Sequence, residues 1–266
     1  MSPGGALAVL ADVHGNRWAL EAVLEDLDRR GVERVVNLGD SLYGPLDPAG
    51  TAARLRGVAA VDVRGNQDRL LLEPDASAVE SPTFRFVTES LSADDLAWLG
   101  GHEVAPVRFG AFELCHGTPE RDDACLVERI GESGVELKAP GALERELDAV
   151  DADAVLCGHS HVPRLLRLPG GMLVVNPGSV GLPAYTGDEP WPHAMEAGSP
   201  HARYALVEPE PAGWRVEHVA VAYDWERAAA AARSHGRPDW SDWIRSGRAG
   251  TGRRQRRGRG GDRGRP

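Results

Sequence analysis

Short apolar runs recur along the chain, and polar residues stand where most of them end. The runs are "ALAVLAD", "ERVVNLGD", "VAAVDVRGN", "FELCHG", "DAVLCGHSH", "MLVVNPGS" and "ARYALVE". Several of them lack strict alternation of apolar and polar residues, which predicts strands that are buried on both faces. All are far shorter than the roughly 18 apolar residues of a membrane-spanning helix, so no contact with a membrane is expected.

Two segments with helical spacing separate the first three runs. Residues 17–31 have apolar side chains on one helical face, with Asn16 and Gly31 in position to cap the two ends. Residues 47–57 form a second predicted helix. The order strand, helix, strand, helix, strand over the first 65 residues predicts right-handed βαβ units.

The second half of the chain is richer in strands. Turn sequences such as "LPGG" and "NPGS" predict hairpins there. Two further helices are expected at 223–236, capped by Asp224, and at 238–247. This mixture predicts an α/β fold in which two mixed sheets pack together and helices cover the outside. Residues 1–247 are expected to form one domain, followed by a disordered Arg/Gly-rich tail at 248–266.

Charge is distributed unevenly along the chain. The formal net charge is −10, but residues 245–266 carry nine arginines and one aspartate, a net +8, so residues 1–244 carry −18. A body this acidic does not attract nucleic acid through its general field, whereas it suits the chelation of cations. The tail is predicted to make weak, salt-sensitive contact with nucleic acid through phosphate charge alone.

Three cysteines, Cys115, Cys125 and Cys157, are too few for a disulfide framework and are expected to be reduced. The N-terminal segment lacks a basic region and reaches a polar motif within a dozen positions, so no cleavable signal is expected. Both features predict a cytoplasmic protein.

The polar residues at the ends of the strands form the main functional signal. Carboxylate, amide and imidazole side chains stand in five such turns, at Asp12, His14, Asp40, Asn66, Asp68, His116, His159 and His161. Each turn also contains a glycine, which permits a tight backbone and the close approach of a ligand. Because the carboxyl ends of strands in open α/β sheets line a common crevice, these side chains are expected to converge.

The types of ligand indicate the chemistry. Carboxylate, amide oxygen and imidazole without thiolate suit Mn, Fe, Co, Ni or Zn better than a structural tetrahedral zinc. Two such ions, about 3.5 to 4 Å apart, hold a bridging hydroxide and neutralise a phosphoryl group under attack. Seven protein ligands are sufficient for two ions if one carboxylate bridges them.

The set of motifs "DVHGN", "LGD", "RGNQD", "CHG" and "GHSH" resembles the calcineurin-like metallophosphoesterase superfamily, in particular its small bacterial and archaeal phosphodiesterase branch. The likeness covers residues 7–181 and includes "NPGSVG" at 176–181. It implies a four-layer α/β/β/α sandwich and a phosphodiesterase with two divalent ions, manganese first among Mn, Fe, Ni, Co and Zn. The expected substrate is a small phosphoester or nucleotide.

The resemblance also implies a role for each ligand. Asp12, His14 and His161 would bind one ion, Asn66, His116 and His159 would bind the other, and Asp40 would bridge them. Hydroxide held between the two ions would attack phosphorus in line.

Asn66, Gln67 and Asp68 are the predicted catalytic residues. Many relatives have a histidine where this chain has Gln67, and that histidine contacts phosphate and can protonate the leaving group. An amide cannot do so, although it still donates a hydrogen bond, which favours activated phosphodiesters as substrates. Asp68 is expected to orient a neighbouring donor or ligand.

Two other functions compete with this prediction. One is a scaffold or binding protein that keeps the fold without chemistry, although all seven ligand positions are filled here. The other is a nuclease whose basic tail recruits its substrate. Motifs of other hydrolases are absent: the sequence has no G-x-S-x-G elbow, no H-E-x-x-H and no P-loop lysine. The sequence gives no indication of the oligomeric state.

A few residues are open to two interpretations. Tyr43 lines the substrate entrance or packs on the following Gly-Pro turn, and Arg17 and Arg69 contact a substrate phosphate or form surface salt bridges. Trp240 and Trp243 are expected to be core contacts. Substrate choice is assigned to loops 41–50, 72–92 and 182–202.

Overall fold

The computed structural model describes residues 5–250 of the chain. The predicted tail at 248–266 therefore lies outside the described residues except for its first three positions, and the boundary between domain and tail stays a prediction. Within residues 5–250, no helix is both long and apolar enough to span a lipid bilayer.

The first sheet has five strands in the order β14-β13-β1-β2-β3. Its strands are β1 (Leu7–Leu10), β2 (Arg34–Asn37), β3 (Val61–Asp62), β13 (Ala202–Glu210) and β14 (Gly213–Val221). The first three strands run parallel, and β13 joins β1 in antiparallel orientation. The parallel part of this sheet has the βαβ topology that the sequence predicts.

The second sheet also has five strands, in the order β4-β5-β8-β10-β9. Its strands are β4 (Val107–Phe109), β5 (Phe112–Leu114), β8 (Ala154–Leu156), β9 (Arg164–Arg167) and β10 (Leu173–Asn176). Two hairpins lie apart from both sheets, β6 (Glu128–Gly131) with β7 (Gly134–Leu137), and β11 (Ala184–Gly187) with β12 (His193–Glu196).

Between residues 5 and 250 the chain forms nine helices. They are α1 (Arg17–Arg30), α2 (Pro48–Leu55), α3 (Asn66–Leu72), α4 (Ala76–Glu80), α5 (Pro82–Ser90), α6 (Ala93–Gly100), α7 (Pro140–Glu146), α8 (Trp225–Ser234) and α9 (Pro238–Ser246). The helices predicted at 17–31, 47–57, 223–236 and 238–247 are all present as α1, α2, α8 and α9.

The two sheets pack face to face, and helices cover their outer faces. Alternate residues of the strands, such as Val9 and Leu156, are fully buried between the sheets. Leu10 packs under α1 on the outer face of the first sheet, while Val155 packs with Leu143 of α7 on the outer face of the second. The predicted four-layer α/β/β/α sandwich is confirmed.

The prediction of a loop at 72–92 is wrong, and the loop predicted at 182–202 contains a hairpin. The first range contains α4 and α5, each of which starts at its own polar cap, Asp75 and Ser81. The second range contains the β11–β12 hairpin. Short helices of this kind carry no long apolar periodicity, so the sequence pattern does not reveal them.

Candidate metal centre

The predicted ligands come together at one edge of the two sheets. Asp12 and His14 follow β1, Asp40 follows β2, Asn66 opens α3, His116 follows β5, and His159 and His161 follow β8. The Asp12, His14 and His116 side chains are completely buried, and those of Asp40 and His161 are nearly so. The first sheet and the second sheet therefore both contribute to one cluster.

Asp12, His14 and His161 form one group within the cluster. Their ligand atoms lie within 4.8 Å of one another. The Nε2 atoms of His14 and His161 are 3.0 Å apart, and His161 Nε2 lies 3.5 Å from Asp12 Oδ1. These three side chains are spaced to share a single cation.

A second group surrounds Asn66. Its Oδ1 lies 3.1 Å from His116 Nε2 and 3.2 Å from His159 Nδ1. Asp40 lies between the two groups, because its Oδ2 is 3.5 Å from His116 Nε2 and 3.9 Å from His14 Nε2. The seven predicted ligands are therefore close together in the structure.

Backbone carbonyls fix the protonation of two facing histidines. His14 Nδ1 lies 2.9 Å from the Tyr43 carbonyl oxygen, and His161 Nδ1 lies 2.7 Å from that of Leu182. A carbonyl only accepts, so each Nδ1 carries the proton and each Nε2 turns a lone pair inward. Burial lowers the pKa of both His14 and His161, so neither holds a second proton.

The two facing lone pairs are an unfavourable arrangement unless a cation lies between them. Asp12 adds to this, since its Oδ2 is buried and has no hydrogen-bond partner among residues 5–250. Buried acceptors are normally satisfied, and a cluster of unsatisfied ones is compatible with a bound metal ion. The residues present therefore fit a divalent cation.

The backbone is strained at the same positions. Among the described residues other than glycine, positive φ angles occur at Asp12 (56°), His14 (51°), Asp40 (54°), His159 (67°) and His161 (60°). All five are predicted ligands. Left-handed backbone is unfavourable for residues with a Cβ atom and concentrates at functional sites. The strain directs these side chains into the cluster.

Two glycines permit the close approach of the loops that carry Asp40 and Asn66. A Cβ atom at Gly65 would lie 2.2 Å from Asp40 Oδ1, and one at Gly39 would lie 2.5 Å from Gly65 N. Neither position has space for a side chain.

The protonation of each side chain in the cluster depends strongly on the charges of its neighbours. Burial disfavours a charged imidazole, but the carboxylates of Asp40 and Asp12 and the Leu38 carbonyl together outweigh it and raise the pKa of His116 to about 10. Burial likewise opposes ionisation of Asp40, yet His116 beside it holds the pKa of Asp40 well below its usual range. Burial raises the pKa of Asp12 to about 8. Without a cation, the cluster therefore retains protons at neutral pH.

The loop "NPGSVG" supports the ligand turns from behind. Asn176 Nδ2 donates to the Gly158 carbonyl at 2.7 Å and to Ser160 Oγ at 3.2 Å. Ser179 Oγ donates to the Asp12 carbonyl at 2.8 Å. The loop therefore holds two of the five ligand turns in place.

Asp68 and Gln67 lie in different parts of the site. The Asp68 carboxylate is buried and accepts hydrogen bonds from the backbone N–H groups of Ser41 (2.9 Å) and Gly65 (3.1 Å). The Gln67 backbone N–H donates to Asp40 Oδ1 at 2.8 Å. Asp68 thus ties together the two turns that carry Asp40 and Asn66, while the Gln67 side chain faces the cavity beside the cluster.

A cavity of about 250 Å³ opens beside the cluster. Its lining residues are Asp40, Tyr43, Asn66, Gln67, His159, His161, Leu182, Tyr185, Thr186, Arg237, Trp240 and Trp243. Tyr43 lines it, in agreement with the first of its two interpretations. Trp240 and Trp243 are buried core residues and also line it.

Arg17 and Arg69 do not line this cavity. Arg17 pairs with Asp47 at 2.9 Å, and Arg69 Nε and Nη2 donate to Asp122 at 2.7 and 3.0 Å. Both are salt-bridged, which was the alternative interpretation. The arginine that does line the cavity is Arg237, which sequence reasoning missed, because no motif surrounds it and its position depends on how α9 packs.

The cysteines are separate from the centre. Cys115 and Cys157 pack with α7 on the outer face of the second sheet, away from His116. Burial raises the pKa of both thiols. They are packing residues, as expected for a strand in which neighbouring side chains point to opposite faces.

Two packed mixed sheets with such a cluster at one edge define a metallophosphoesterase fold. The chain belongs to the calcineurin-like phosphoesterase superfamily, whose domain profile matches residues 6–193. This family is metal-dependent, and two buried groups are candidate ligand sets here: Asp12, His14 and His161, and Asp12, Asp40 and His116.

Three other proteins are similar to most of this chain. An uncharacterized protein of Methanocaldococcus jannaschii is 22% identical over 255 residues, which cover 88% of this chain and 94% of the relative. The crystal structure of a metallophosphoesterase from Sphaerobacter thermophilus superposes with a TM-score of 0.71 at 24% identity, covering 91% of this chain and 99% of that one. A hypothetical protein from Pyrococcus horikoshii gives 0.69 at 21% identity, covering 91% and 98%. These structures share the fold.

Proposed function

We propose that the protein hydrolyses phosphodiesters with two divalent ions, manganese being the first to test. Asp12, His14 and His161 would hold one ion, and Asn66, His116 and His159 the other. Asp40 would bridge them. When bound, the ions would lower the pKa of water and neutralise charge on the phosphoryl oxygens.

One observation carries the proposal. The Nε2 lone pairs of His14 and His161 face each other at 3.0 Å, while the other ring nitrogen of each is committed to a backbone carbonyl. A divalent cation satisfies both acceptors in this buried space. The strained backbone at five of the seven ligands supports the same conclusion.

The chain's own residues would position the metal ligands and would not transfer protons themselves. The Asp68 carboxylate fixes the Ser41 and Gly65 backbones, so the Asp40 and Asn66 side chains stay in register. The buried position of the ligands strengthens electrostatic interactions with the phosphoryl group.

Gln67 supports a preference for diesters with good leaving groups. An amide donates a hydrogen bond to a phosphoryl oxygen but does not protonate a departing alkoxide. We expect aryl phosphodiesters to be hydrolysed faster than alkyl monoesters. In a Gln67→His variant, activity on monoesters with poor leaving groups should rise; no gain at any pH between 5 and 9 would contradict this role.

The central test combines metal content with a substrate panel. The protein is loaded with Mn, and bound metal is counted by plasma mass spectrometry. Aryl diesters, aryl monoesters, cyclic nucleotides and dinucleoside polyphosphates are then compared. Two ions per chain with preferential diester hydrolysis are expected. Asp40→Asn should lose both, whereas the matched surface variant Asp242→Asn, at an exposed position, should lose neither.

The same panel separates the alternatives. A scaffold or binding protein would show no turnover on any ester, even with metal bound. A protein that binds fewer than two ions and still hydrolyses diesters would contradict the dinuclear assignment.

A further inference from the structure

The turn that carries His159 and His161 holds two predicted metal ligands in an unfavourable backbone conformation. Their φ angles are 67° and 60°. Left-handed backbone of this kind persists only where surrounding contacts fix it. Asn176 fixes one side of the turn, at the Gly158 carbonyl and the Ser160 hydroxyl. Contacts on the other side therefore decide whether the two imidazoles keep their relative positions.

Tyr185 makes contact with both ligand residues on that other side. Its hydroxyl donates a hydrogen bond to the His159 carbonyl at 3.2 Å, and its ring centroid lies 4.6 Å from that of His161. Burial raises the pKa of Tyr185, so the hydroxyl keeps its proton and remains a donor at neutral pH. Among residues 5–250, no other group donates to the His159 carbonyl. That carbonyl therefore depends on Tyr185.

The β11–β12 hairpin holds Tyr185 in place. Tyr185 pairs with Met195 across the hairpin, and the buried Met195 side chain packs with Cys125 and Val162. The Tyr185 ring packs against the same cluster. Because Val162 directly follows His161, the cluster extends to the ligand turn. The hairpin lies apart from both five-stranded sheets, yet it is connected to the metal centre by this packing and by one hydrogen bond.

The two histidines differ in how much other support they have. His161 Nδ1 donates to the Leu182 carbonyl at 2.7 Å, so its ring has a fixed contact besides Tyr185. His159 Nδ1 lies 3.2 Å from Asn66 Oδ1, which is itself a predicted ligand. Loss of the Tyr185 hydroxyl would free the His159 peptide while His161 stays held. We therefore expect His159 to depend on Tyr185 more than His161 does.

We propose that Tyr185 is a positioning residue that sets the affinity of the centre for the ion bound by His159. The inference rests on the proposed function for the presence of two ions, and it assigns to the β11–β12 hairpin the retention of one of them. Contacts behind metal ligands commonly change metal affinity about 10- to 100-fold. A single hydrogen bond to the backbone of a ligand belongs at the lower end of that range.

Tyr185→Phe tests the proposal, because it removes the hydroxyl and keeps the ring. Mn is titrated into the metal-free proteins, and electron paramagnetic resonance of free Mn gives the Kd of each ion. We expect the Kd of one ion to rise about tenfold and that of the other to stay within about threefold. His159→Ala identifies the ions: the single ion that it still binds should have the Kd of the ion that Tyr185→Phe leaves unaffected.

Tyr204→Phe is the matched control. Tyr204 is buried and its hydroxyl also donates a hydrogen bond, to Asp26 at 2.6 Å, but it packs under α1 on the outer face of the first sheet. Both Kd values should stay within about twofold of the wild type. Tyr185→Leu, which also removes the ring beside His161, should weaken the binding of both ions.

Excess metal distinguishes positioning from general damage to the fold. When Mn is limiting, Tyr185→Phe should hydrolyse an aryl diester several-fold more slowly than the wild type. At Mn concentrations about 100 times the raised Kd, its kcat should return to within about twofold of the wild type. Melting of the metal-free proteins should give the same Tm for both. Lost activity that excess Mn does not restore, with unchanged Kd values, would overturn the proposal.

The outcomes for Tyr185 and for the proposed function are distinguishable. Unchanged Kd values in Tyr185→Phe, in a protein whose wild type binds two ions, would overturn the role of Tyr185 and leave the phosphodiesterase intact. Two bound ions without hydrolysis of any ester would overturn the proposed function, while the Kd values still decide Tyr185. A wild type with one ion contradicts the dinuclear assignment, and the Kd of that ion then decides Tyr185. A wild type that binds no Mn overturns both.

Discussion

Gly181 shows how tightly the backbone packs behind the metal ligands. A Cβ atom at this position would lie 1.8 Å from the carbonyl oxygen of Val13, between the two ligands Asp12 and His14. Gly181→Ala must therefore displace that segment. We expect a loss of roughly 1–3 kcal/mol in the free energy of unfolding, typical of overpacking, together with a marked loss of bound metal.

Urea denaturation and metal analysis check this prediction. Gly131→Ala is the control, because a Cβ atom at Gly131 meets nothing within 4 Å. Equal effects of the two substitutions would show that the contact with Val13 is not the cause.

Asp62 gives the protein's stability a dependence on pH. Asn37 Nδ2 donates to its carboxylate at 3.0 Å, but burial raises the pKa of Asp62 to about 6. Since this pKa is higher in the folded state, the contribution of Asp62 is complete below about pH 4 and is lost as the pH rises through about 6. Asp62→Asn should therefore gain stability relative to the wild type between pH 4 and 7, by about 1–3 kcal/mol.

Urea titrations of both proteins at intervals across this range measure the difference. A difference that stays constant with pH would show that Asp62 does not titrate in the folded protein. Asp242→Asn, the same substitution at an exposed position, serves as the control.

At the scale of elements, the N-cap residue of α1, Asn16, also forms hydrogen bonds to two other parts of the molecule. Asn16 Oδ1 accepts from the Ala19 N–H, and its Nδ2 donates to the Gly181 carbonyl at 2.9 Å and to the Tyr223 hydroxyl at 3.1 Å. Asn16→Ala should therefore destabilise the protein by more than the roughly 1 kcal/mol of an ordinary cap.

The cap of α8 is the matched comparison. Among residues 5–250, the Asp224 side chain accepts only the Arg227 N–H, at 3.0 Å, on the surface. Asp224→Ala should cost about 1 kcal/mol, and thermal or urea denaturation compares the two variants directly. If Asn16→Ala costs no more than Asp224→Ala, the contacts to Gly181 and Tyr223 contribute nothing.

The helices show which parts of the fold can be predicted from the sequence alone. The predicted bounds of α1 differ from the observed ones by one residue, because its caps and its apolar face are local signals. The cluster was predictable because each ligand lies within a few residues of a strand end. The α4 and α5 helices, with five and nine residues, lack a long periodic pattern. Arg237 meets Thr83 across 154 residues, a contact that only the packing of α5 and α9 creates.

On the scale of the whole molecule, the metal centre connects the two sheets. Asp12 and Asp40 follow strands of the first sheet, while His116 and His159 follow strands of the second. Ions bound between them are expected to stabilise only the folded state. At a metal concentration about 100 times Kd, the gain is about 2.7 kcal/mol, or roughly 5–10 °C in Tm. Calorimetric melting with Mn or with chelator tests this, and an unchanged Tm would contradict it.

Proton release provides a second, independent measure of metal binding at this centre. Despite its burial, the pKa of His116 is raised to about 10 by Asp40, Asp12 and the Leu38 carbonyl, and burial raises the pKa of Asp12 to about 8. Both groups therefore hold protons at pH 7 when no ion is bound. A cation requires both ligands to be deprotonated. Binding should thus release between about one and two protons per chain at pH 7, and affinity should fall as the pH decreases. Titration calorimetry in buffers of different ionisation enthalpy counts these protons; a count of zero would mean that metal does not bind at His116 and Asp12.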